Sequence, residues 1–283
     1  MRAYIELLRV HNCAMAALAS LIGVLVALPS GWWPAPHLVL SGMGAVFLIT
    51  GAGNAINDVY DVEIDKINRP TRPLPSGKIA MRGAILTSLT LFLMGIAASL
   101  YISVEVGFLG CFALALFNSV LLVEYARRLK RTALYGNLTV AYLTASTFLY
   151  GAAMLGQSTL GDVVVLVLLA FLATLARELI KDVEDIQGDE ALGASTLPIL
   201  VGKKWAVGIA LACIVLGVAL SPLPMLEGFG GLGERYLWVV AGADAGFLVS
   251  ALHLIRGKPS SASKGVKLSM MLALVAFMAG SIG

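Results

Sequence analysis

A chain of 283 residues that is 59% hydrophobic and 13% charged, with a mean hydropathy of +0.89, lacks the polar residues to cover a water-soluble globule, for which about a quarter charged is usual. The same figures exclude a disordered chain, and a net charge of +3 is too small to imply a nucleic-acid partner. Cys13, Cys111 and Cys213 sit in apolar runs without the spacing of a disulfide framework or a metal site, so lipid is the expected solvent.

Nine apolar runs approach the roughly 20 residues needed to cross a bilayer. The first, 11–29, follows a short segment carrying Arg2 and Arg9 and reads as a retained span rather than a cleaved leader. The second, 36–56, runs into Asn54-Ala-Ile-Asn57-Asp58-Val-Tyr60-Asp61-Val-Glu63-Ile-Asp65. Asn54, Asp58, Asp61 and Asp65 recur at helical spacing, which predicts a helix continuing past the membrane interface with one polar face. In the following Asn68–Gly77 segment, Pro70, Pro73 and Pro75 exclude a helix and predict an ordered cap of turns or extended chain.

Runs three and four, 79–101 and 106–124, are followed by Arg127, Arg128, Lys130 and Arg131. Run five covers 133–155. Run six, 160–180, leads into a second charged stretch, Arg177-Glu178-Leu-Ile-Lys181-Asp182-Val-Glu184-Asp185-Ile-Gln-Gly-Asp189. Runs seven, eight and nine cover 203–222, 236–255 and 266–282. Asp244, inside run eight among small neighbours, is expected to make a helix–helix hydrogen bond. Trp32, Trp33 and Trp238 are expected as anchors at the outer interface. The whole chain, 1–283, is read as one integral-membrane domain.

With nine spans, 19 of the 20 Lys and Arg fall on one side and only Arg235 on the other. The positive-inside rule makes that side, and the N-terminus, cytoplasmic. Most of the acids share it, although acids contribute little to topology. They form two clusters, each at the C-terminal end of a span. There, like charges repel one another at i, i+4 and oppose the helix dipole. A compensating cation resolves the conflict. Carboxylate oxygens without His or thiolate suit a hard ion, Mg2+ before Zn2+. Mg2+ usually completes its shell with water and phosphate oxygens, so the two stripes read as a diphosphate site. Arg69, Arg72, Lys130, Arg131 and Lys181 lie in adjoining segments and can grip phosphate.

These residues resemble the UbiA-type family of intramembrane prenyltransferases. The family's first motif, N-D-x-x-D-x-x-x-D, is similar to Asn57-Asp58-Val-Tyr-Asp61-Val-Glu-Ile-Asp65, followed by Arg69-Pro-Thr-Arg72-Pro-Leu-Pro-Ser-Gly77. The second, D-x-x-x-D, is similar to Asp185-Ile-Gln-Gly-Asp189, followed by Gly193-Ala-Ser-Thr196-Leu-Pro, with Asp182 one turn earlier. Leu129-Lys130-Arg131-Thr132 and Gly136-Asn137 resemble the loop between spans four and five. The resemblance implies an all-α bundle of nine transmembrane helices with a central apolar cavity and cytoplasmic cap loops. It implies a Mg2+-dependent transferase in which an isoprenyl diphosphate ionises to an allylic carbocation that an acceptor captures. Asp58, Asp61, Asp65, Asp182, Asp185 and Asp189 would hold the metal. Asn54, Asn57, Arg69, Arg72, Lys130, Arg131 and Lys181 would bind the diphosphate.

Within the family, Lys181–Asp189 and the start Glu6-Leu-Leu-Arg9-Val-His-Asn12-Cys13 look like the archaeal digeranylgeranylglyceryl phosphate synthases. That implies geranylgeranyl transfer to geranylgeranylglyceryl phosphate in ether-lipid synthesis, with Arg9 and Asn12 at the acceptor. The residues themselves leave open an aromatic acceptor such as 4-hydroxybenzoate. Either needs a cationic anchor, which Arg9, Lys130 or Lys181 could supply. An ion-coupled transporter is the non-enzyme alternative, but carriers place single acids near mid-membrane, whereas these acids gather at one face.

Overall fold

The computed structural model describes residues 2–28, 34–191, 195–226 and 229–281, and every regular element among them is helical. Trp32, Trp33, Gly193 and Ala194 lie outside the described residues. In order, the α-helices are α1 (Arg2–Leu8), α2 (Val10–Ala27), α3 (Pro36–Tyr60), α4 (Val62–Asn68), α5 (Met81–Val106), α6 (Gly110–Arg127), α7 (Tyr135–Ala153), α8 (Val164–Ala191), α9 (Leu197–Leu200), α10 (Lys203–Leu220), α11 (Glu234–Ile255) and α12 (Pro259–Ser281).

Among the described residues, eight helical segments are long and apolar enough to span a membrane. The predicted fifth span is present as α7, a continuous helix of 19 residues, but its composition is too polar to qualify. The expected nine therefore become eight apolar spans plus this helix. Asn137, Thr139, Thr144, Ser146 and Thr147 account for the difference. Thr139, Ser146 and Thr147 return their hydroxyls to backbone carbonyls of α7 itself, at 2.7–2.9 Å. Such internal bonding is what apolar surroundings require of a polar helix.

Two compact units divide the chain. The first comprises Met1–Val24, Leu28–Leu129 and Tyr150–Ser158. In it α3 packs on α1, α5 and α6, and α5 packs on α6. The helices approach closely because small residues line the contacts: Gly95 of α5 lies against Ala45 and Ile49, and Gly53 of α3 against Leu122. Ser88 of α5 donates to the Ala52 carbonyl at 2.9 Å. With no hydrophobic force between helices in lipid, such packing and hydrogen bonds carry the association.

The second unit comprises Leu25–Ala27, Lys130–Leu149 and Thr159–Gly283. Here α8 packs on α10 and α12, and α11 pairs with α12. Leu179, Ile180, Ala206, Ala210, Ala262 and Val266 belong to its core. On α11, Gly242, Gly246 and Ser250 repeat at i, i+4, and Gly246 meets Ser269 of α12 while Gly265 of α12 meets Ser250.

Asp244 makes the expected interhelical bond: it accepts from Ser221 Oγ at 2.6 Å, and Tyr236 Oη donates to the Ser221 carbonyl at 2.6 Å. Asp244→Asn should keep this link in part and cost about 1 kcal/mol or less, the usual size of a polar contact between membrane helices. Thermal unfolding and turnover of the purified variant check this; a large loss of turnover at normal stability would give Asp244 a functional role.

Candidate active site

In the first unit, the polar face predicted for residues 54–65 is broken rather than continuous. Helix α3 stops at Tyr60; Asp61 (φ −94°, ψ 0°) still donates its N–H to the Asn57 carbonyl at 3.0 Å, and α4 restarts at Val62. The break separates the acids. Asp58, on α3, and Asp65, on α4, have side chains only 5% and 8% exposed. Asp61, at the corner, accepts from the Asn57 side-chain amide at 2.9 Å. Asn54 donates to the Leu8 carbonyl at 2.9 Å and so ties α3 to the end of α1.

Two arginines meet the buried pair. Arg9 lies between α1 and α2 in the left-handed region (φ 50°, ψ 58°), a conformation that costs a non-glycine residue about 1–2 kcal/mol. Its guanidinium donates to Asp58 Oδ1 at 2.5 Å. Arg72 reaches Asp65 Oδ2 at 2.5 Å and Asp58 Oδ1 at 3.4 Å.

Arg72 is delivered by the segment of prolines, which forms the turns expected of it. Ser76 N–H bonds the Arg72 carbonyl and Ile79 N–H the Pro73 carbonyl, at 3.0 and 3.1 Å. Gly77 supplies a left-handed corner (φ 73°) that a side chain would strain. Leu74 and Ile79 are buried with Leu7, Ala55 and Ala84, so an apolar seat fixes the cap. Arg69, by contrast, is exposed.

Beside this cluster is a cavity of about 460 Å³ whose lining includes Ile5, Arg9, Val10, His11, Asp58 and Arg72. Asn12, grouped with Arg9 from the sequence, is exposed and outside that lining.

In the second unit, the acids stand on α8 itself, which runs unbroken to Ala191, past the end of the apolar run near residue 180. Asp182 accepts from the Asn137 side chain at 2.7 Å. Asp185 is exposed and Asp189 half-buried. Glu178 accepts from Lys181 at 3.1 Å and from Arg177 at 2.8 Å. Lys130 and Arg131 form part of a short 3-10 turn, Leu129–Arg131. The sequence did not single out Asn137 or Glu178 as partners. Their signal was limited to the Gly136-Asn137 pair and the i, i+3 spacing of Glu178 and Lys181.

Arg127, which ends α6, and Arg128 just beyond it pair with Glu124 one turn earlier, at 3.7 and 2.6 Å, at the i, i+3 and i, i+4 spacing of helix-surface ion pairs. Among the described residues, no three His, Cys, Asp or Glu side chains converge as a ready-made metal-ligand set. Chemically, the first unit joins hard oxygen donors to guanidinium groups beside an open cavity. That combination suits a phosphate with its counter-cation.

The digeranylgeranylglyceryl phosphate synthase of Methanococcoides burtonii is 48% identical over 289 residues, covering 99% of this chain and all of its own. A solved structure concerning digeranylgeranylglyceryl phosphate synthase in membranes is similar with a TM-score of 0.85 at 36% identity, over 99% of this chain and 98% of that one. A UbiA homolog from Archaeoglobus fulgidus, bound to GPP and Mg2+, shares the fold with a TM-score of 0.73 at 17% identity, over 99% of this chain and all of its own. The profile of the UbiA prenyltransferase family matches residues 16–277, and the chain is a membrane protein that belongs to that family.

Proposed function

We propose that this chain transfers a geranylgeranyl group from its diphosphate to geranylgeranylglyceryl phosphate. The full-length likeness to digeranylgeranylglyceryl phosphate synthases supports the substrates. The chemistry rests on the buried Asp58–Asp65 pair gripped by two arginines, beside a cavity that Asp58, Arg9 and Arg72 line. The family profile runs across both structural units, which supports one catalytic domain rather than two.

The cofactor in this reading is Mg2+, the ion bound with GPP in the Archaeoglobus fulgidus homolog. Asp58, Asp61 and Asp65 in the first unit, and Asp182, Asp185 and Asp189 in the second, are the carboxylates that would supply its oxygen ligands. The donor set fits in kind: each Mg2+ would take one or two of these carboxylates and fill its shell with waters and phosphate oxygens. When bound, Mg2+ neutralises charge developing on the departing diphosphate.

The protein's own groups do the rest. Arg72, with Arg69, Lys130, Arg131, Lys181, Asn54 and Asn57, binds and orients the diphosphate. Arg9, with Asn12 beside it, faces the acceptor phosphate. The apolar helices exclude water that would otherwise quench the allylic cation. They also hold the isoprenyl tail, worth about 0.8 kcal/mol per buried CH2 before ordering costs. The C1–O bond to the diphosphate breaks, the acceptor hydroxyl oxygen bonds to C1 of the tail, and the hydroxyl proton leaves with the diphosphate. The near-complete segregation of basic residues supports a cytoplasmic site and N-terminus.

An acceptor panel with labelled geranylgeranyl diphosphate tests the proposal. Incorporation into geranylgeranylglyceryl phosphate, with none into 4-hydroxybenzoate, is the expected result. Preferential labelling of the aromatic acid would replace the ether-lipid reading with quinone synthesis.

A further inference from the structure

The residues proposed to hold a cation and those proposed to hold a phosphate are, in the first unit, paired with one another. Arg9 and Arg72 both reach Asp58, and Arg72 alone reaches Asp65. Two guanidiniums balance two carboxylates, and all four side chains are under a third exposed. A cation cannot take the carboxylate oxygens at Asp58 and Asp65 while the guanidiniums keep them. Leaving an arginine there without a counter-charge is unfavourable, because partly buried charges need partners. The cavity gives the arginines somewhere to turn, since Arg9, Arg72 and Asp58 all line it, together with residues that include the exposed Glu6 and His11 and the apolar Ile5 and Val10.

We infer that this four-residue cluster is an exchange device. A divalent cation takes Asp58 and Asp65, and Arg9 and Arg72 are thereby turned over to substrate phosphate groups in the cavity, Arg72 to the diphosphate and Arg9 to the acceptor phosphate. The inference rests on the proposed metal-dependent reading and deepens it: cation and phosphate bind with positive coupling because each accepts the partners the other sets free. Such coupling is reciprocal by thermodynamic necessity. Each arginine is thus a competitor of the cation as well as a ligand of the phosphate.

Competition has a signature that phosphate binding alone lacks: removing an arginine tightens the cation. In detergent, with Mn2+ as an EPR-visible probe and no phosphate present, Arg72→Gln and Arg9→Gln should each bind the ion about fivefold tighter than the parent, the low end of ordinary coupling. Lys78→Gln is the control. Lys78 is exposed, and its ammonium donates to the Thr71 carbonyl at 3.4 Å rather than to either acid of the cluster, so its loss should leave cation affinity unchanged.

Hydrogen exchange gives a second reading. Saturating Mg2+ should speed exchange in peptides covering 69–79 of the parent, because Arg72 leaves its anchors, and should have no such effect in Arg72→Gln. If Arg72→Gln does not fold, Arg9→Gln decides the matter through its cation affinity.

Unchanged cation affinity in the arginine variants, or an equal gain in Lys78→Gln, overturns the exchange. Turnover of the parent is measured separately. Tightened cation binding in a protein that transfers no prenyl group would sustain the exchange and sink the enzyme reading; turnover with unchanged cation affinity would do the reverse.

Discussion

Asp58→Asn is expected to lower prenyl transfer by about a hundredfold or more, the scale seen when one preorganised electrostatic partner is removed, while the protein stays folded. Asparagine has nearly the same shape, so the packing around a side chain that is 5% exposed survives. What goes is the charge that Arg9 and Arg72 share. Breaking a fully buried ion pair costs about 3–5 kcal/mol. Here the arginine side chains are 28% and 19% exposed and Arg72 keeps Asp65, so water and the remaining acid reduce the penalty below that range. Catalysis therefore suffers more than stability. Steady-state diphosphate release alongside thermal unfolding separates the two. Turnover within tenfold of the parent would remove Asp58 from the machinery, and failure to fold would make its role structural.

Gly151→Leu carries the largest expected effect on stability. Gly151 lies in the first unit near the end of α7, where a Cβ would fall on the Ser20 carbonyl oxygen and the Val24 amide nitrogen of α2. Those are backbone atoms and cannot swing aside as a side chain would. Replacing a helical glycine normally gains up to about 1 kcal/mol in helix propensity. Overpacking a tight contact costs about 1–3 kcal/mol and sometimes more, and here the obstructing helix must move bodily. The clash wins. Gly151→Leu should fail to accumulate as folded protein in detergent, and Gly151→Ala should show a lowered unfolding temperature. Wild-type stability in Gly151→Leu would mean that the two helices do not approach as described.

Much of this was legible in the residues. Length and apolar composition placed the long helices, because a span must satisfy its backbone internally and an apolar run of that length allows little else. Three prolines in Asn68–Gly77 foretold turns for the same local reason. Asp244, an acid among small residues, foretold its hydrogen bond. The break at Asp61 was not legible, since the i, i+4, i+7, i+11 spacing fits a straight helix as well as a kinked one. Nor were the partners. Arg9 and Asp58 are 49 positions apart and Asn137 and Asp182 are 45 apart; spacing rules speak only to neighbours on one element. The sequence proposed which groups bind phosphate and which bind metal, but not that Arg9 and Arg72 are held by Asp58 and Asp65.

The most direct measurement uses the purified protein in detergent with geranylgeranyl diphosphate, geranylgeranylglyceryl phosphate and Mg2+, following diphosphate release and the ether-linked product together. Equal amounts of both are expected, lost on chelating the metal and restored by adding it back. Absence of product with active substrates and folded protein, or full turnover after chelation, would contradict it.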